Sequence, residues 1–64
     1  MRQLQYVAER RTKTGVVKLK IWAVSLLQAV DQARLKTQQA HALGISGYYR
    51  VISFIDVDGK EVRF

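Results

Sequence analysis

Only one stretch of this 64-residue chain has helical periodicity, and it lies between two stretches whose apolar residues alternate. Leu26, Ala29, Val30, Ala33, Thr37 and Ala40 recur at three- and four-residue spacing and form one face, while Gln28, Asp31, Gln32, Lys36 and Gln39 fall elsewhere. The flanking runs follow a period of two, the signature of half-buried strands. A single helix covers one side of a sheet, so a chain with this pattern must leave the other side without a helix above it.

Before the helix, Leu4, Tyr6 and Ala8 alternate with Gln3, Gln5, Val7 and Glu9 over residues 2–9, a first strand. Arg10-Arg11-Thr12-Lys13-Thr14-Gly15 is polar, ends in Gly and reads as a basic, exposed hairpin loop. A second strand over about Val16 to Ala23 sends Val17, Leu19, Ile21 and Ala23 to the core face, and Lys18, Lys20 and Trp22 to the other. Ser25 followed by Gln28 fits the S-x-x-Q capping box, with Val24 placed to staple against Ala29, so the helix is predicted to start at Leu26. His41 in the last turn suits the carbonyl end of the dipole, and Gly44 suits a left-handed cap, ending the helix at about Leu43.

After a short connector, Ile45-Ser46-Gly47, the chain is β-rich from Tyr48 to Val57 and again from Lys60 to Phe64, separated by Asp58-Gly59. Asp-Gly between two such runs predicts a two-residue type I′ hairpin. That turn pairs Ile55 with Val62 and Ser53 with Phe64, so Val51, Ile55, Val62 and Phe64 share the helix face. Arg50, Ile52, Phe54, Asp56, Glu61 and Arg63 then occupy the other. A slip of one residue would exchange the sets, making Ile52 and Phe54 core and Val51 and Ile55 external. Under either register Tyr48 and Tyr49 put one aromatic ring on each face. The fold expected is an α+β two-layer ββαββ domain over residues 1–64, a four-stranded, mostly antiparallel sheet with one helix packed on one face.

The chemistry available is narrow. There is no Cys and one His, which removes disulfides, thiolate nucleophiles and the usual zinc sites. His41 is alone, Asp56, Asp58 and Glu61 beside a Gly turn serve the turn, and Asp56-x-Asp58-Gly59 has too few oxygen ligands for an EF-hand loop. We expect no enzyme, cofactor, metal or small-molecule substrate. No apolar run approaches the roughly 20 residues that span a bilayer, and Met1-Arg2-Gln3-Leu4-Gln5 leads into no apolar segment, so the chain reads as cytoplasmic with no membrane partner.

Eleven Lys and Arg against five Asp and Glu give a net charge of +6, a bias toward polyanionic partners. The uncovered face is expected to carry Lys18, Lys20, Trp22, Arg50, Ile52, Phe54 and Arg63, aromatic and apolar anchors interleaved with cations. Such a surface suits stacked bases and phosphates of a single strand, and equally the core of a protein interface or a homodimer. Arg10, Arg11 and Lys13 in the first hairpin form a second basic candidate, able to follow a phosphate backbone or enter an acidic groove. The outer helix face carries glutamines and has no second helix to present it to a major groove.

The junction Ile21-Trp22-Ala23-Val24-Ser25-Leu26-Leu27-Gln28-Ala29, an A-x-S-L-x-x-A step from strand to helix, is similar to that of small proteins encoded by phages and other mobile elements. The order of two strands, helix and a hairpin ending near Asp58-Gly59-Lys60 resembles some type I anti-CRISPR proteins. The resemblance covers about half of the chain and implies a small, non-enzymatic inhibitor that blocks a CRISPR surveillance complex where target DNA must bind. It assigns no residue roles. The expectation is a basic binding module docking on a protein or nucleoprotein complex, with direct single-strand binding or self-association as the alternatives.

Overall fold

Ser25 sets the start of the helix. In the computed structural model, which describes residues 2–64, its backbone is extended and its Oγ accepts from the amide of Gln28 at 3.2 Å, while Gln28 Oε1 accepts from the Val24 amide at 2.8 Å. This is the capping box with the glutamine reaching one residue further back than usual. The helix, α1, runs Leu26–Ala42. It ends in a Schellman motif: Gly44, at φ +79, donates to the His41 carbonyl and Ile45 donates to that of Ala40.

Four strands surround it in sequence: β1 Leu4–Thr12, β2 Gly15–Ala23, β3 Arg50–Ile55 and β4 Glu61–Arg63. They form one sheet in the order β2-β1-β3-β4 with every neighbouring pair antiparallel. The fold is therefore the α+β arrangement of one helix on one sheet face. Among the described residues no helix is long and apolar enough to cross a membrane.

Alanines let the helix approach closely. Ala29 and Ala33 pack against Tyr6, Ala8, Ile21 and Ala23, all buried, with Leu4, Leu19, Tyr49, Val51 and Phe54 around them. Leu26, expected on this face, is instead largely exposed. The helix lies across β1, β2 and β3 and does not reach β4.

Two local expectations change. The first hairpin is not a basic loop from Arg10: Arg10 pairs with Val17, Arg11 with Val16 and Thr12 with Gly15, leaving Lys13 and Thr14 as the turn. Thr12 Oγ1 closes it, accepting from the Thr14 amide and donating to the Gly15 carbonyl. The second hairpin is one residue longer than a type I′ turn allows. Asp56 pairs with Lys60, Gly59 donates to the Asp56 carbonyl at φ +81, and Asp56 Oδ1 accepts from the amides of Asp58 and Lys60. This is a type I turn followed by a left-handed Gly, the three-residue hairpin.

The extra residue moves the register by one, so Phe54 pairs with Val62 and Ile55 with Glu61. Across β1, Phe54 opposes Tyr6 and is on the helix side, and Ile55, opposite Gln5, is on the other. Val51 nevertheless faces the helix as expected, because the β1–β3 register shifts between Val7 and Ala8. Val7 opposes Ser53 and Ala8 opposes Val51, leaving Ile52 as a bulge residue that breaks the alternation.

Candidate nucleic-acid interface

The sheet face away from the helix is built in rows across the strands. Trp22, Gln5, Ile55 and Glu61 form one row; Lys20, Val7, Ser53 and Arg63 the next; Lys18, Glu9 and Arg50 a third; and Val16 with Arg11 a fourth. Register thus brings Lys18, Lys20, Arg50 and Arg63 together with Trp22, as expected from the alternation, and adds Arg11, which was expected in the hairpin loop. All six are exposed, Trp22 at 57%. Two carboxylates, Glu9 and Glu61, interrupt the cations. The centre of the face is still buried: Val7 is 3% exposed and Ser53 is fully enclosed, although no helix lies above them. Both are flanked in that row by exposed long side chains, Lys20 and Arg63, of a kind whose stems can lie over apolar surface with the charged heads in water. Ser53 Oγ finds no protein hydrogen-bond partner there.

The remaining expected site residues go elsewhere. Phe54 does not join Trp22; it lies 6.3 Å, ring to ring, from Tyr6 on the helix side. Ile52 is half-buried at the bulge. Lys13 sits in the turn of the first hairpin. Arg10 is structural: its guanidinium lies 5.6 Å from the Tyr49 ring centroid and donates through Nη1 to the Ser46 carbonyl at 3.1 Å. The bond ties β1 to the connector between α1 and β3.

That connector is held at several points. His41, expected to serve the helix end, donates through Nε2 to the Gly47 carbonyl at 2.6 Å. Thr37 Oγ1 donates to the Ala33 carbonyl and accepts from the Tyr49 amide at 2.8 Å. Gly47 has φ +90 and lies so close to β1 that a Cβ there would meet Arg10 Cγ at 3.3 Å and the Arg11 carbonyl at 3.4 Å. Between these anchors Tyr48 is 65% exposed. With Glu9, Arg11, Gly47 and Arg50 it lines a notch of about 300 Å³ at the end of the open face. That Tyr48 and Arg11 line the same notch was not legible in the sequence.

The helix side has its own uncovered region. Beyond the reach of α1, Phe64 stacks on Tyr6 with centroids 6.5 Å apart and lies 5.8 Å from Phe54, with Val62 beside them. Phe64 is 63% exposed and Val62 is 39% exposed. Among the described residues there is no group of three or more His, Cys, Asp or Glu able to hold a metal ion. No family model matches the chain, and no curated protein or solved structure is significantly similar to it.

Proposed function

We propose that the protein is a non-enzymatic, cytoplasmic binding module that docks on a nucleoprotein complex, meeting nucleic-acid phosphate with the open face of its sheet. The observation that carries this reading is the convergence of Arg11, Lys18, Lys20, Arg50 and Arg63 with Trp22 on the one sheet face that no other element covers. Cations at strand spacing follow a backbone, and an exposed indole offers a stacking surface for one base. The Phe54–Val62–Phe64 patch on the other side supplies the aromatic, apolar area that a protein component would bury. An inhibitor of a CRISPR effector complex would be one protein of this kind.

Direct binding of a free single strand is the second reading, favoured by the loss of Phe54 from the open face, which leaves its recognition more electrostatic than an anchored protein interface. Fluorescence anisotropy with labelled single-stranded oligonucleotides, at low and near-physiological salt, tests both. If all five cations meet phosphate, log affinity falls with log salt at a slope of about −3.5. Reversing two charges, Lys18→Glu with Lys20→Glu, is expected to abolish the binding. Saturable binding that survives near-physiological salt favours the free strand, and binding confined to low salt favours a nucleoprotein. Absence of binding at low salt, or indifference to the reversal, would sink the open face as a nucleic-acid surface.

A further inference from the structure

The geometry points to the Tyr48 notch as a nucleotide subsite, with a base stacked on the Tyr48 ring and its phosphate held between Arg11 and Arg50. The inference rests on the nucleic-acid reading of the open face and adds to it a location, a ligand class and a strand length.

Three features make the notch fit such a ligand. Its walls have the required chemistry: an exposed aromatic ring, two guanidiniums able to grip phosphate in bidentate fashion, and one carboxylate. Glu9 does not cancel the cations, because two guanidiniums, Arg11 and Arg50, stand against its one carboxylate in the notch. Its carboxylate is left to accept from the amino edge of a base, a role acidic side chains take in base recognition.

The backbone that carries the ring is also held in place before any ligand arrives. A freely moving surface tyrosine would lose much of its stacking energy to ordering. Here the residues on both sides of Tyr48 are fixed, Gly47 by His41 and by its contact with Arg10, and Tyr49 by Thr37 and the Arg10 guanidinium. An aromatic side chain held exposed on an anchored backbone is what a stacking platform requires.

Finally, the notch lies at the opposite end of the face from Trp22. Trp22 is level with Gln5 on β1, and Tyr48 meets Arg11, six residues further along the same strand. At about 3.3 Å per residue the two rings are separated by about 20 Å along the strands. Lys18, Lys20, Arg50 and Arg63 occupy the interval. A single strand of about six nucleotides, its five steps opened to about 4 Å each, spans it, with one base on each ring and phosphates on the cations between.

The test is anisotropy of a labelled single-stranded hexanucleotide with the full chain and its variants at low salt. Tyr48→Ala is expected to weaken binding at least about fivefold, and Tyr48→Phe, which keeps the ring, to bind within about twofold of the parent. Arg11→Gln, a second exposed wall of the notch, should flatten the salt slope by about 0.7 for one lost phosphate contact, and decides the matter if the alanine variant is unfolded by circular dichroism. Hexanucleotide binding unchanged by Tyr48→Ala and by Arg11→Gln would overturn the notch and leave the open-face reading standing. A loss of equal size in Tyr48→Phe would also overturn it, since the ring would then not be the contact. If the parent chain binds no hexanucleotide, both inferences fall together.

Discussion

The two faces of the sheet solve the same problem by different means. On the helix side, burial comes from small residues, Ala8, Ala23, Ala29 and Ala33, that bring helix and sheet together around Tyr6 and Ile21. On the other side Val7 and Ser53 are as deeply buried, with Lys20 and Arg63 beside them across the strands and no helix above. The first face is a packed interior whose loss unfolds the chain. The second is a surface whose cations flank two central residues and remain free to meet a partner, so its energetics belong mainly to binding.

The largest expected effect is on the packed face. Tyr6→Ala removes a ring that is 6% exposed and touches both Phe54 and Phe64, at about 3–5 kcal/mol. That is comparable to the whole stability of a domain this small, and urea titration should find the variant largely unfolded. A cooperative transition near that of the parent would mean that the aromatic cluster is not core. A smaller effect of opposite sign is expected at the centre of the open face. Ser53→Ala deletes a hydroxyl that is buried without a protein partner, and the unfolding free energy should rise by up to about 1 kcal/mol. A fall of that size would show that the hydroxyl makes a bond that matters. The smallest stability change belongs to Trp22→Ala, within about 0.5 kcal/mol of the parent, because its ring stands in solvent. Destabilisation approaching that of Tyr6→Ala would erase the distinction between the faces.

Local chemistry carried most of the architecture. The cap at Ser25 and Gln28, the C-terminal Gly44 and the alternation of β2 act over a few residues, so their geometry can be read from spacing alone. The cationic half of the open face was legible for the same reason: Lys18, Lys20 and Trp22 alternate with Leu19 and Ile21 on one uninterrupted strand. The failures lie where one residue decides a parity. The bulge at Ile52 puts Phe54 on the helix face with Val51 and turns Ile55 away, and Asp56, accepting from two amides, lengthens the second hairpin by one residue so that Val62 pairs with Phe54.

Spacing likewise placed Arg10 in a free loop. Pairing with β2 carries β1 three residues further, and the connector beyond the helix then gives the Arg10 guanidinium a ring and a carbonyl to hold. No local pattern announces a contact across 36 residues.

By itself the sequence determined the element order, the single helix and its limits, the excess of positive charge and the existence of one uncovered sheet face. Each follows from periodicity, capping or composition. The tertiary structure alone decided the strand order, the bulge at Ile52, the side on which Phe54 lies and the meeting of Tyr48 with Arg11 and Arg50. Those depend on how strands distant in sequence choose register, and a side-chain period of two makes each such choice an exchange of faces.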